Sequence, residues 1–322
     1  MNIHGFRSYL AERMDRFVDM KCCAGIDRKR LADKLSFFDR FLLRSDYRCD
    51  HMDEPILSAY AEALGHVGTG TRYNRFCVAR QFCMFLAQND PRSYVPDSIP
   101  SGRDGDVRQP HIYTEDEIRD LMQAAEDLSP QRPLRAQTYV TLIGLLTATG
   151  MRISEAIGLN IEDFNSDEGL VFIREGKFRK SRWIPVCESA RLALKRYVTV
   201  RVSRRPNDPE SPLLISLWHK RLNYNTVSAT FRELLVQVGL RCGRGPGPRL
   251  HDLRHSFAVR RLLNWYRQGA DVNARLPWLA TYMGHVEIAN TMVYLHATAE
   301  LLEEVGNRFD THYQATIKPF DN

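Results

Sequence analysis

The chain has 322 residues, with 45 Lys+Arg against 39 Asp+Glu and a formal net charge of +6. At 43% hydrophobic and 10% aromatic its composition is that of a globular protein, and it holds no run of about 18 apolar residues. Disordered, fibrous and helical membrane-spanning classes are excluded, and the length suits two domains, each able to bury its own core.

The first residues, MNIHGFRSYLAERMDRF, alternate charged and apolar side chains and lack a signal-peptide core. The seven cysteines are an odd number, and with no secretion signal they read as reduced thiols of a cytoplasmic protein, not as a disulfide frame. Phe37, Phe38, Phe41 and Leu42 fall on one helical face, as do Phe76, Ala79, Phe82, Cys83 and Leu86. Residues 1–95 are therefore predicted to form a helical domain of about four helices. The stretch 91–110 holds four prolines and two glycines with almost no apolar periodicity. It reads as an interdomain linker centred on 96–110.

From 111 onward a second domain is predicted to run to the last residue, with a tail from about 299. Thr114 with Glu117 forms a capping box that opens a helix. A second helix from about Arg135 stops at Gly150, a natural helix end, and a short helix, ISEAIGL, follows. Two strand-like runs, Leu170–Arg174 and Arg182–Val186, flank the basic turn EGKFRKS. Helices are predicted at about 188–203, 225–239, 251–266, 276–283, 288–297 and 300–306. The fold class is mainly α with a small β-hairpin.

Charge is unevenly spread. Leu170 to His255 carries 18 Lys/Arg against 6 Asp/Glu, whereas 106–169 carries 12 acids against 5 bases. A concentrated basic stretch is the footprint of a surface that meets a polyanion, although a solvated basic face has the same composition.

Three clusters bear chemistry. TGMRISEA (149–156) puts Arg152 just after a helix-ending glycine, HDLRH (251–255) sets two histidines beside Arg254, and GHVEIANTMVY (284–294) sets His285 nine residues before Tyr294. Between the first two lies Lys177 on the hairpin turn, with Lys180 close by. Such a set can run phosphoryl transfer without a metal. Arginines offer forked donors to phosphate oxygens, histidines and lysine shuttle protons, and a tyrosine oxygen can form a covalent intermediate. Each residue also has a plainer explanation. Arg152 can pair with Glu155, Lys177 can be solvated, His285 can be a loop residue and Tyr294 can be half-buried core. His251 and His255 have the i, i+4 spacing of a zinc helix. Arg254 would set a fixed cation beside the metal, and Asp271 is the sole third ligand on offer before His285, so no metal site is expected.

Taken together, TGMRISEAIGLNIEDF, HDLRHSFA and MGHVEIANTMVYLH resemble the motif boxes of the tyrosine recombinase (phage integrase) family, in the family's order and over about residues 111–298. The resemblance implies a helical core-binding domain that clamps DNA, followed by a catalytic domain. It implies that Tyr294 attacks a DNA phosphodiester to leave a 3′-phosphotyrosyl link. Arg152 and Arg254 would hold the non-bridging oxygens, Lys177 would protonate the departing 5′-oxygen, His251 would assist proton transfer at the nucleophile, and His285 would hydrogen-bond the phosphate. No cofactor, metal or ATP is implied. The expected partners are double-stranded DNA and sister protomers in a homo- or hetero-tetramer, with no membrane. The tail of 299–322 either packs on its own core or docks on a neighbour. RLPWLATYMGH looks more like the transposon-encoded branch than the chromosome-dimer resolving type. Two other functions fit the same boxes: relaxation of supercoils in the manner of a type IB topoisomerase, and a DNA-binding module that cuts nothing.

Overall fold

Four α-helices build the first third of the chain: α1 (Ala11–Cys23), α2 (Arg28–Arg44), α3 (Glu54–Ala63) and α4 (Thr69–Asn89). In the computed structural model, residues 5–98, 109–128, 133–174, 181–203, 210–243, 247–285, 289–292 and 306 are described. Two compact units emerge, Met1–Arg108 and Gln109–Asn322.

In the first unit two of the four α-helix starts are set by acids. Asp27 accepts from the Arg30 amide to cap α2, and Asp53 accepts from the Ile56 amide to cap α3. Leu31, Leu35, Phe38 and Leu42 recur every three or four residues along α2 and meet Phe76, Ala79, Phe82, Cys83 and Leu86 of α4 in one core. Rings organise it: Phe38 lies 4.7 Å from Tyr60, and Phe17 meets Phe82 edge-on at 5.6 Å. Phe37 departs from the expected buried face. It is 37% exposed, with the Arg75 guanidinium 3.6 Å above its ring and that of Arg40 at 4.6 Å. One residue is a rotation of about 100° on a helix, enough to carry Phe37 off the stripe that Phe38 and Leu42 define.

The second unit opens with the Thr114 capping box. The Glu117 amide donates to Thr114 Oγ1 at 3.1 Å and the Thr114 amide donates to Glu117 Oε2 at 2.9 Å. This starts α5 (Glu115–Glu126). Then come α6 (Pro133–Thr149), α7 (Ile153–Gly158), the strands β1 (Phe164–Asn165), β2 (Leu170–Ile173) and β3 (Arg182–Pro185), and α8 (Glu188–Ser203). The three strands form one antiparallel sheet in the order β1-β2-β3, with Ile173 opposite Arg182. β1 was not anticipated, because two residues are too short to show a period of two. Next are α9 (Tyr224–Gln237), α10 (Leu250–Arg267), α11 (Val272–Met283) and a short α12 (Ala289–Met292). The expected helix at 300–306 and most of the tail lie outside the described residues. None of the seven cysteines forms a disulfide. Among the described residues no helix is long and apolar enough to cross a membrane.

α11 begins a turn earlier than its expected start near 276. Pro277 reads as a helix-opening residue, because its ring nitrogen has no proton to give an upstream carbonyl. The helix instead starts at Val272, where Asp271 accepts from the Ala274 amide at 3.1 Å. Its other end is closed by Gly284 in the left-handed region at φ +69°, with the His285 amide reaching back to the Ala280 carbonyl at 2.8 Å.

α10 is the central post. Its Leu253, Ala258, Val259 and Leu262 are buried, and it packs on both α6 and α11. At the end of α6, Gly150 turns left-handed at φ +60°, and a Cβ placed there would stand 2.3 Å from a Phe257 ring carbon of α10. Gly150→Ala is therefore expected to combine backbone strain with overpacking and lower stability by about 2–5 kcal/mol in urea denaturation. A variant as stable as wild type would contradict the close approach of α6 to α10.

Candidate active site

Three guanidinium groups from three separate elements converge on the last turn of α11. Arg152 is the N-cap of α7 and donates from Nη2 to the Gly284 carbonyl at 2.8 Å. Arg254, on the first turns of α10, donates from Nη1 to the Gly150 carbonyl and from Nη2 to the Met283 carbonyl, each at 2.7 Å. Arg182, the first residue of β3, donates from Nε to the Tyr282 carbonyl at 2.9 Å and from Nη2 to the Met283 carbonyl at 3.3 Å. The Tyr282, Met283 and Gly284 carbonyls are the negative end of the α11 dipole, where cations are favoured.

A buried acid supplies the second counter-charge. Glu155, whose side chain is 5% exposed, accepts at Oε1 from Arg152 Nη1 at 2.8 Å and from Arg182 Nη1 at 3.1 Å. Its Oε2 accepts from the Arg152 amide and from Arg182 Nη2, both at 2.8 Å. Burial by itself would raise the Glu155 carboxyl. The Arg182 fork and then Arg152 outweigh it and hold the acid below the usual carboxylate range. The plain pairing of Arg152 with Glu155 thus exists, and it leaves the arginine 20% exposed with two of its five N–H donors engaged among the described residues.

His285 closes the cluster. Its Nε2 lies 2.8 Å from Arg254 Nη2 and its Nδ1 2.7 Å from Thr291 Oγ1. A guanidinium can only donate, so Nε2 accepts and the ring proton sits on Nδ1, facing the threonine. Burial, then Arg254, Arg152 and Arg182, push this imidazole down to about 4. The ring is neutral at physiological pH.

His251 sits one helical turn before Arg254, so both project from one side of α10. It is solvent-facing, and its ring meets that of His255 edge-on at 4.9 Å. The protein mass around it, then the His255 and Arg254 charges, hold it at about 4. Asp271, weighed as a third zinc ligand, is engaged as the α11 cap. Among the described residues no three His, Cys, Asp or Glu side chains are grouped to hold a metal ion.

Of the six residues singled out from the sequence, the structure gathers Arg152, Arg254 and His285 around Met283 and Gly284, with His251 at the edge. Lys177, its neighbour Lys180 and Tyr294 lie outside the described residues. Sequence reasoning passed over Arg182, Thr291 and the steric role of Gly284. A Cβ at Gly284 would stand 2.8 Å from the Arg182 guanidinium carbon and 3.3 Å from Arg152 Nη1. Its left-handed φ already favours glycine. The glycine before His285 carried a signal of sorts; a lone arginine in a basic hairpin carried none.

The profile of the phage integrase family matches residues 112–300. An integrase/recombinase of Sinorhizobium fredii, y4rE, is 32% identical over 303 residues, which cover 94% of this chain and 96% of that protein. Among solved structures, the Tn1549 transposon integrase in complex with transposon right-end DNA superposes over 92% of this chain and 99% of its own, with a TM-score of 0.68 at 17% identity. A lambda integrase tetramer bound to a Holliday junction superposes over 86% of this chain and 77% of its own, with a TM-score of 0.61 at 19% identity. These structural likenesses carry the fold. The matched profile and the full-length relative carry the family: the chain belongs to the phage integrase family and is a site-specific DNA recombinase of the tyrosine type.

Proposed function

We propose that the recombinase seats one DNA phosphodiester against Arg152, Arg254 and His285 and cuts it with the Tyr294 hydroxyl. The observation that carries this reading is the convergence of two donor-rich arginine heads and a histidine on one helix end. Forked guanidinium donors match the non-bridging oxygens and the charge that builds on them in a pentavalent transition state. The tyrosyl oxygen forms a bond to phosphorus as the bond to the 5′-oxygen breaks. The tyrosyl proton passes to a base and the 5′-oxygen takes one from an acid. His251, neutral above about pH 4, suits the first role. Lys177 is assigned the second. Attack by a different 5′-hydroxyl on the 3′-phosphotyrosyl bond reverses the step and exchanges strands, and bond energy is conserved without ATP or metal. For His285 to donate to the phosphate it must gain a proton on Nε2. The incoming anion favours that proton and the three arginines oppose it.

The same reading assigns residues 1–95 as a core-binding domain that clamps the duplex and 111–322 as the catalytic domain, joined by a linker at 96–110. It takes the working form as a tetramer on synapsed DNA, of the transposon-encoded branch, in the cytoplasm at the nucleoid. The +12 balance of residues 170–255 supports phosphate contacts as the main source of affinity.

Three outcomes follow. With DNA flanking the gene's own locus and EDTA present, wild type is expected to form a covalent protein–DNA adduct on a denaturing gel and Tyr294→Phe to form none; an adduct that survives the substitution moves the nucleophile elsewhere. Duplex affinity is expected to fall about a thousandfold or more between roughly 50 and 200 mM salt, and a flat response would remove phosphate contacts from their leading role. In NMR titration of the free protein, His251 and His285 are expected to show midpoints near 4 instead of about 6.5. Because the unfolded chain binds these protons at higher pH than the folded one, stability is expected to decline as pH falls from about 6.5 towards 4. Midpoints at the ordinary imidazole value would refute the surroundings described for both rings, poor in water and rich in cations.

A further inference from the structure

We infer that Arg182 is a positioning residue for phosphate recognition, acting on Arg152 through Glu155 and on His285 through the last turn of α11. The inference rests on the reading of Arg152, Arg254 and His285 as the phosphate site.

Arg182 is built to face the protein. Its side chain is 13% exposed, less than that of Arg152, and its contacts engage four of the five N–H donors of a guanidinium. Two go to Glu155 and two to α11 carbonyls, so the guanidinium spends itself on protein acceptors and reaches phosphate only through what it holds.

What it holds is the immediate surroundings of the site. Glu155 Oε1 is shared between Arg152 Nη1 and Arg182 Nη1, so the orientation of the carboxylate is a compromise between the two. With Arg182 gone, the carboxylate is free to turn wholly onto Arg152. That would draw its fork away from the Gly284 carbonyl it now touches at 2.8 Å. The Tyr282 carbonyl would lose its Arg182 donor, and Met283 would keep Arg254 as the arginine on its carbonyl. His285 follows two residues after Met283, and its ring position depends on that turn. A lysine cannot substitute, because one ammonium nitrogen cannot span two carboxylate oxygens and two carbonyls at once. The role is geometric, beyond mere charge.

The test compares wild type, Arg182→Gln, Glu155→Gln and the double variant in two binding measurements. One is binding of inorganic orthovanadate, a phosphate mimic small enough to report on the site alone, followed by vanadium NMR. The other is affinity for a generic DNA duplex, which is spread over many phosphates. Arg182→Gln is expected to weaken orthovanadate about tenfold or more and to leave duplex affinity within about twofold. The double variant is expected to be no weaker than the worse single variant, as for two residues acting along one route. Losses that multiply in the double variant, or unchanged orthovanadate binding in Arg182→Gln, would overturn the inference. So would a parallel fall in duplex affinity, which marks general loss of folded protein. Should Arg182→Gln not fold, Arg182→Lys keeps the charge and is expected to show the same loss; wild-type binding by the lysine variant is an overturning result. Wild type that binds no orthovanadate would instead remove the phosphate site itself, a failure distinguishable from the others.

Discussion

Three like charges do not share a corner of a protein unless something anionic holds them there, and here that something is modest. The three carbonyls that end α11, the Gly150 carbonyl that ends α6 and one buried carboxylate, Glu155, are described anchors for Arg152, Arg182 and Arg254. Helix-end carbonyls are partial charges, and Glu155 is a single full one. The cluster therefore stays net positive, with its neutralisation incomplete on the side where Arg152 remains partly exposed. A phosphate diester carries the missing charge. Incomplete compensation is what lets a stable fold present an anion site, because a fully paired arginine would have no reason to release its partner to a ligand.

Distances of this kind depend on backbone as much as on side chains. Gly150 and Gly284 both occupy the left-handed region, and each also stands where a methyl group would collide: Phe257 against the first, Arg182 against the second. One brings the end of α6 onto α10, so that Arg254 can reach the Gly150 carbonyl. The other turns the chain sharply after α11 and leaves room for the guanidinium groups. Tyr113 adds a further tie, its amide donating to Ser256 Oγ at 2.8 Å and its hydroxyl to the Arg249 carbonyl at 3.3 Å, which fixes the entry to α5 against the start of α10.

Much of this was legible in the sequence because its signals are local. A Thr114–Glu117 box, a run of Phe76, Phe82 and Leu86, and a His251–Arg254 pair one turn apart each report on a few neighbouring residues, and periodicity carries them faithfully. Other features were not local. Arg182 meets Glu155 across 27 positions and the α11 carbonyls across about 100. From sequence it is one more cation in a basic hairpin, where solvent is the default partner. Phe37 shows the opposite limit: adjacent aromatics look equivalent on a helix until the partner helix chooses one. Pro277 shows a third, since the missing N–H that suits a first turn costs a backbone hydrogen bond further in, and α11 nevertheless carries Pro277 inside it from the start that Asp271 caps.

Because α7, β3 and α10 each place an arginine donor on the carbonyls that end α11, the position of that helix end bears on all three cationic heads at once. A displacement of α11 by the length of a hydrogen bond would break those contacts together, while Glu155 kept its hold on Arg152 and Arg182 and the Gly150 carbonyl its hold on Arg254. Precision at the phosphate is thus shared between the end of α11, which all three heads touch, and the fixed acceptors on α7 and at the end of α6 that keep the heads in reach of it.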